Sequence, residues 1–130
     1  MLDIITVSLL GGGATFGLSR LPYSNAIRAS SVSTLCFYGV LLCITNAETA
    51  QSLSAWFFGG SFVGMSDRSR LSWWEVLIAS GVFGVLGELL LPFLDGVGGA
   101  LGVCAFVSVV IVYVCRKCMT VLKVKFKQPV

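Results

Sequence analysis

Histidine is absent from the 130-residue sequence, and acidic and basic residues together make up only 12% of it. Without histidine the chain lacks the side chain that most often binds metals and acts as a general base near neutral pH. A soluble domain usually carries about a quarter charged residues, because water must wet its surface. With 56% hydrophobic residues and a mean hydropathy of +0.93, the composition excludes an ordinary soluble domain and predicts a chain folded in lipid.

Other absences narrow the possible functions. The apolar runs hold no paired carboxylates, and no nucleophile elbow of the Gly-x-Ser-x-Gly type occurs. The five cysteines do not form a disulfide framework, and Cys115 and Cys118 supply only half of a zinc site. We therefore expect no enzyme activity, no cofactor, no metal and no nucleic-acid partner, with the lipid bilayer as the main surrounding of the chain.

Long apolar segments are what the sequence has in abundance. Four of them approach the length needed to cross a hydrocarbon core of about 30 Å. Proline follows two of these segments and cannot continue a helix cheaply, and aromatic residues that prefer the headgroup region lie at segment ends. The four segments are residues 4–19, 29–45, 73–91 and 97–115.

The stretch AWFFGGSFVGMSDRSR, residues 55–70, overlaps a fifth and more polar segment, 49–66. If this segment is re-entrant, the arginines and lysines fall on both sides of the membrane. If it crosses, with the N-terminus outside, all nine arginines and lysines lie on the cytoplasmic side, where short loops typically carry an excess of these residues. The charge distribution thus predicts an all-α integral membrane helical bundle of five transmembrane helices, 1–115, in the cell (inner) membrane. A basic cytoplasmic tail, 116–130, follows it.

The chain also matches itself weakly when residue 81 is placed over residue 11. GGGATFGLSRLPYSN then lies over GVFGVLGELLLPFLD. Because three predicted crossings separate the two copies, the second is inverted, giving a 2+1+2 inverted repeat with a central odd helix. Inverted repeats are common in transporters, whose sites lie near the midplane. Chance recurrence of glycine and leucine is the alternative. The identical pairs are Gly11/Gly81, Gly17/Gly87, Leu21/Leu91 and Pro22/Pro92.

Glycines four residues apart occur inside three of the predicted helices. This spacing lets helix backbones approach closely in lipid, within one chain or between subunits. A second interpretation of the central pair is that Gly59, Gly60 and Ser61 break the helix and present backbone groups to a polar solute. The sequence leaves both interpretations open. The pairs are Gly13/Gly17, Gly60/Gly64 and Gly98/Gly102.

Glu88 is the ionisable residue of greatest interest, about one turn from the outer end of the fourth predicted helix. A carboxylate in hydrocarbon is costly and usually faces the bundle interior or a wet cavity. Glu88 either reaches the outer headgroups or handles a solute or a proton.

Mildly polar residues either hydrogen-bond within their own helices or line a narrow path. They are Ser8, Thr15, Ser30, Ser33, Thr34 and Ser108.

The C-terminal end is basic, and its sequence VLKVKFK alternates apolar and charged residues. Lys123, Lys125 and Lys127 are predicted to contact an anionic membrane surface rather than a nucleic acid. Pairing of this segment with another chain is the alternative.

The layout around LPYSNAIRAS and AWFFGGSFVGMS resembles the small subunit of threonine/serine exporters. In both, a proline and a basic loop precede one crossing and then a second that contains glycines. The resemblance covers about the first seventy residues and rests on spacing. The fourth segment, GVFGVLGELLLPFLDG, lacks the later Pro-Gly signature of that family, and no site residue is carried over.

These patterns predict a small membrane transporter or channel subunit for a polar metabolite or ion. Five short helices enclose little volume, so a homo-oligomer is expected. The candidates for the substrate path are Glu88, Gly59, Gly60 and Ser61. The main alternative is a non-catalytic structural or assembly subunit of a larger membrane protein complex, in which glycine faces and the basic tail dock other membrane subunits. A pore-former of the holin kind is a third interpretation.

Overall fold

A computed structural model describes residues 1–67, 69–93 and 97–126 of the chain. Over these residues the protein is all-α, with five α-helices and no strand, which confirms the predicted all-α helical bundle. The helices are α1 (Leu2–Leu18), α2 (Ala26–Ile44), α3 (Ala47–Gly64), α4 (Trp73–Leu90) and α5 (Val97–Phe126).

The boundaries of the first four helices follow local signals. They lie within three residues of the predicted segments. α4 begins after Ser72, whose backbone N–H donates a hydrogen bond of 2.7 Å to the Glu75 carboxylate, as in a capping box. It ends in a short 3-10 turn, Leu91–Phe93, that contains Pro92. The proline has no N–H to continue the α-helical hydrogen bonds, so the helix stops there.

The fifth helix is longer than the prediction. A crossing that ends at residue 115, with a separate tail from 116, was expected, but α5 continues without a break to Phe126. Its 30 residues extend for about 45 Å at 1.5 Å per residue. No glycine or proline occurs between Cys115 and Phe126, so nothing local ends the helix. Lys123 and Lys125 therefore lie on a helix, and Lys127 lies outside the described residues.

The glycine-rich stretch of α3 is a continuous helix. The expected break at Gly59-Gly60-Ser61 is wrong, because α-helical structure runs from Ala47 to Gly64. A glycine in a helix costs about 1 kcal/mol relative to alanine when nothing else acts on it. Here both glycines are closely packed, because a side chain at Gly60 would overlap the α1 backbone and one at Gly59 would overlap the Phe83 ring.

α3 is the central helix and contacts each of the other four. A side chain at Gly60 would overlap the backbone of Ser8, and one at Gly64 would overlap the carbonyl oxygen of Gly12. Both contacts advance along α1 and α3 in the same direction, so these two helices are parallel. The 18 residues of α3 extend for about 27 Å, close to the thickness of a bilayer core.

α4 lies against α1 in the opposite direction. Gly12 of α1 packs on Ser80, whereas a Cβ at Gly17, further along α1, would lie 3.6 Å from the Trp73 ring near the start of α4. The end of α1 is thus beside the beginning of α4. Between α3, α4 and α5 the apolar core contains the fully buried Phe83, which meets Trp56 edge-on at a centroid distance of 6.2 Å.

Three of the described helices are long and apolar enough to cross a membrane: Ala26–Ile44, Trp73–Phe93 and Gly98–Lys125. This property supports an integral membrane protein. α1 is apolar but has only 17 residues, and α3 carries several polar residues in its first half. The surrounding helices bury much of the second half of α3, including Gly59, Gly60 and Ser61, whereas Glu48 and Gln51 near its beginning are exposed.

Candidate functional site

Buried hydroxyl groups gather where α1 packs on α3. Six of them, from four different helices, are fully or almost fully buried. They are linked by hydrogen bonds or by contacts with the glycines of α1 and α3, and we call them the hydroxyl cluster. Its members are Ser8 and Thr15 on α1, Ser30 and Ser33 on α2, Ser61 on α3 and Ser80 on α4.

Two hydroxyl–hydroxyl hydrogen bonds join α2 to its neighbours. Ser30 Oγ lies 2.6 Å from Ser61 Oγ on α3, and Thr15 Oγ1 on α1 lies 3.3 Å from Ser33 Oγ. Within their own helices, Ser33 Oγ donates to the Ser30 carbonyl at 3.1 Å and Ser61 Oγ donates to the Phe58 carbonyl at 2.6 Å. The contact of α2 with the bundle is therefore partly polar, although α2 is an apolar helix.

Serine and glycine alternate across the contact between α1 and α4. Ser80 on α4 occupies the space beside Gly12, while Ser8 Oγ on α1 points toward Gly84 and lies 3.5 Å from where a Cβ there would be. Ser80 Oγ donates to the Val76 carbonyl at 2.8 Å. Ser8 Oγ is fully buried and has no hydrogen-bond partner in the described structure. A buried unpaired hydroxyl costs about 1–3 kcal/mol and requires an explanation.

The predicted path residues have different positions. Ser61 belongs to the hydroxyl cluster, and Gly60 lies beside it against Ser8. Gly59 faces away, toward the Phe83 ring and a Leu101 methyl group. The structure thus brings two of the predicted residues to one place.

Glu88 lies apart from these residues, toward the end of α4 that is near Met1. Its side chain is about one-third exposed, with Oε1 3.7 Å from the Met1 nitrogen and Oε2 buried without a partner. Ser80, Gly84 and Glu88 are spaced four residues apart, so they share one face of α4. Glu88 therefore continues the polar face of α4 away from the hydroxyl cluster.

The sequence analysis did not predict a role for Ser80 or for the small-residue motif that it forms with Gly84, four residues further along α4. A signal was present, because two small residues four positions apart are typical of close helix packing in membranes. The sequence prediction considered only pairs with glycine at both ends of the four-residue spacing. The serines of α1 and α2 were recognised as mildly polar, but a single sequence does not reveal which helices bring them together.

The other glycine pairs differ in their surroundings. A Cβ at Gly13 would lie 3.5 Å from a Leu77 methyl group, so this glycine, like Gly17, meets side chains. A Cβ at Gly98 or Gly102 on α5 would have no other part of the protein within 4 Å. These two glycines line an open groove of about 380 Å³ on the outside of the bundle. The groove is otherwise lined mainly by apolar residues, among them Phe62, Met65, Ala105, Phe106 and Val109.

Basic groups collect at the end of the bundle where α1 ends and α4 begins. The Arg20 guanidinium lies over the rings of Phe16 and Trp73, 5.2 Å from each centroid. Arg116 donates to the Arg70 carbonyl at 2.8 Å and forms an ion pair of 2.9 Å with Glu75. Arg20, Arg70 and Arg116 thus lie at one end, and Met1 and Glu88 at the other.

Asp67 lies in the loop between α3 and α4, at the basic end. The Ser69 backbone N–H donates to Asp67 Oδ1 at 3.0 Å, and the Ser69 hydroxyl donates to Oδ2 at 2.8 Å. These hydrogen bonds, the backbone one first, hold the pKa of the Asp67 carboxyl below its ordinary value of 3.8. Asp67 is therefore a negative charge at neutral pH.

No protein-family profile, curated protein or solved structure matches the chain. Among residues 1–67, 69–93 and 97–126, no three cysteine, aspartate or glutamate side chains come together as a metal site requires. The hydroxyl cluster and the distribution of charge are thus the observations from which a function can be argued.

Proposed function

We propose that the protein is a small integral membrane transporter or channel subunit that moves a polar metabolite or ion and acts as a homo-oligomer. The hydroxyl cluster is the observation that carries this proposal. Four helices bury hydroxyl groups around the contact of α1 with α3, and Ser8 is buried without a partner. A polar group buried in a membrane bundle without a partner is costly, and a path for a solute is one reason for a protein to keep it.

Close packing alone would not need these hydroxyls, because alanine and glycine let helices approach as closely as serine does. Four of the hydroxyls join helices by hydrogen bonds and so help to hold the bundle together. Ser8 does not, because it is buried without a partner. Since the hydroxyl cluster is buried, a solute reaches it only when neighbouring helices separate, which suits a transporter better than an open channel.

We further propose five crossings, with the N-terminus outside and the C-terminus in the cytoplasm of a cell (inner) membrane. The parallel arrangement of α1 and α3 supports a crossing by α3. Arginines at one end of the bundle support a cytoplasmic position for that end. Cysteines introduced at Glu48 and Asp67 are expected to react with an impermeant thiol reagent from opposite sides, and reaction from one side would contradict the crossing by α3.

A homo-oligomer is proposed because one tightly packed bundle leaves little room for a solute. The groove on α5 supports the proposal. A Cβ at either of its glycines, Gly98 and Gly102, would meet nothing within 4 Å, and such open glycine surfaces allow close packing of helices in lipid.

The path is tested by thiol labelling at its centre. In a variant with the five native cysteines replaced, Ser61→Cys places a thiol in the hydroxyl cluster. Ser108→Cys is the matched control, because Ser108 is equally buried on α5 and bonds only its own helix, at the Cys104 carbonyl. In native membranes a small water-soluble thiol reagent is expected to label the thiol at 61 several times faster than the thiol at 108.

Equal and slow labelling at both positions would contradict a path through the hydroxyl cluster. Fast labelling at both would indicate general loosening of the bundle, and would also count against a defined path. The size-exclusion profile of each variant in detergent shows whether the fold is retained, so that labelling is compared between folded proteins.

The second candidate function is a structural or assembly subunit of a larger membrane complex. The exposed groove on α5 and the basic helical extension beyond residue 115 favour it, because both surfaces are open to other chains. Purification from native membranes in a mild detergent distinguishes the two functions. A homo-oligomer supports transport, whereas a single copy that is always recovered with other membrane subunits supports assembly.

A further inference from the structure

The hydrogen bonds of the hydroxyl cluster determine where its hydrogens lie. A hydroxyl group has one hydrogen to donate and two lone pairs that accept. Ser61 donates its hydrogen to the Phe58 carbonyl, so the bond of 2.6 Å between Ser30 and Ser61 requires Ser30 to be the donor. The Ser30 hydrogen is therefore also used, and both hydroxyls can only accept further hydrogen bonds.

The same reasoning applies to the other pair. Ser33 donates to the Ser30 carbonyl, so Thr15 is the donor in the bond of 3.3 Å between Thr15 and Ser33. Ser80 donates to the Val76 carbonyl. Of the six hydroxyls in the cluster, Ser8 alone retains a hydrogen that is not used. The cluster therefore offers mainly oxygen lone pairs.

The charges along the helices agree with this polarity. No lysine or arginine occurs within residues 1–19, 29–67 or 71–115 of the sequence, so the basic residues of the described helices lie in the first turn of α2 and in the second half of α5. Glu88 lies two helical turns from Ser80 on the same face of α4, with one carboxylate oxygen buried and unpaired. The charged side chain on this polar face is therefore acidic, and its Oε1 lies 3.7 Å from the Met1 ammonium group.

Oxygen lone pairs and a carboxylate bind cations and N–H donors, whereas an anion needs N–H or O–H donors. Oxygen atoms that replace the hydration shell of a cation are the common basis of cation selectivity in membranes. We infer that the solute handled at the hydroxyl cluster is a small cation, either an alkali metal ion or an ammonium group, and that small anions are rejected. This inference rests on the proposed transport function.

Tracer uptake into vesicles tests the inference. The purified full chain is reconstituted into lipid vesicles, and uptake of rubidium, methylammonium and chloride is compared with that of protein-free vesicles. Uptake of rubidium or methylammonium is expected to exceed the background several-fold, with chloride at the background. Chloride uptake without cation uptake, or no uptake of any tracer, would overturn the inference. Transport of a polar metabolite would remain possible in either case, and the thiol labelling at position 61 tests it separately.

The position of the site is tested by near-isosteric variants. Ser61→Cys and Ser30→Cys keep the size of the side chain but replace a hydroxyl by a thiol, which is a weak acceptor. Each is expected to lower cation uptake by at least about fivefold, equivalent to about 1 kcal/mol. Ser108→Cys, outside the cluster, is the control and should retain uptake. Unchanged uptake in both cluster variants, or an equal loss in the control, would place the cation path elsewhere.

Discussion

Two glycine pairs with identical spacing have opposite surroundings in this protein. Gly60 and Gly64 on α3 lie against the backbone of α1, with no room for even a methyl group. A Cβ at Gly98 or Gly102 on α5 would have no other part of the protein within 4 Å. The same motif therefore joins helices inside the bundle at one place and leaves an open surface at the other. Only the arrangement of the helices distinguishes the two.

The two regions also differ in polarity. The contact of α1 with α3 is surrounded by buried hydroxyls, whereas the α5 groove is lined largely by apolar side chains. In lipid there is no hydrophobic drive between helices, so close packing and hydrogen bonds must hold the inner contact together. The α5 groove needs neither in a single copy of the chain. We therefore expect stability to depend on the first region and assembly on the second.

The largest expected effect is that of Gly60→Ala. The added methyl group would overlap the carbonyl oxygen of Ser8, which is backbone and cannot move aside cheaply. Overpacking of this kind typically lowers the free energy of unfolding by about 1–3 kcal/mol. The midpoint of thermal unfolding in detergent should fall accordingly.

Gly102→Ala is the matched control for this change. A methyl group there enters open space and replaces a helical glycine by a better helix former, so the unfolding midpoint of the single chain should stay the same or rise slightly. Equal losses in the two variants would show that the two glycine pairs are equivalent, and the contrast between the regions would then be lost.

A smaller effect is expected within the hydroxyl cluster. Ser30→Ala and Ser61→Ala each remove a partner of the 2.6 Å hydrogen bond, so each should lower the stability by about 0.5–1.5 kcal/mol. In the double variant the losses should not add, because the second change removes a bond that is already broken. A double-mutant cycle in detergent measures this coupling.

Ser8→Ala sharpens the comparison, because Ser8 has no hydrogen bond to lose. Its removal takes away a buried unpaired hydroxyl, so the stability should be unchanged or slightly raised. A loss as large as that of Ser61→Ala would mean that Ser8 is bonded in the folded protein, and the argument for a vacant polar group would fail.

Local signals in the sequence account for the positions of the helices along the chain. The apolar runs and the prolines predicted α1 to α4 within three residues of their ends, because helix length and termination are local properties. α5 continues beyond the predicted end at residue 115, because hydropathy indicates where the chain leaves the lipid and not where a helix ends. Cys115 to Phe126 contain no glycine or proline, so the continuation was visible in the sequence but given no weight.

The candidate site was predictable only in part. Ser61 and Gly60 were recognised from their place in a glycine-rich stretch, but the expected helix break was wrong. Glycine alone does not break a helix when a second backbone packs against it. That Ser30 meets Ser61 depends on how α2 and α3 are paired, which no local pattern records.

The smallest expected effect lies outside both regions, at the exposed Asp67. Hydrogen bonds from Ser69 lower the pKa of its carboxyl in the folded protein below 3.8, so the ionised form favours folding. This stabilisation is present above the ordinary pKa and is lost as the pH falls through the lower folded pKa. The gap in unfolding midpoint between the native chain and Asp67→Asn should therefore be constant near neutral pH and shrink below 3.8. If the difference in midpoint widened in acid, the ionised Asp67 carboxylate would oppose folding rather than favour it. If the difference were larger than that caused by Gly60→Ala, the loop, rather than the contact of α1 with α3, would dominate stability.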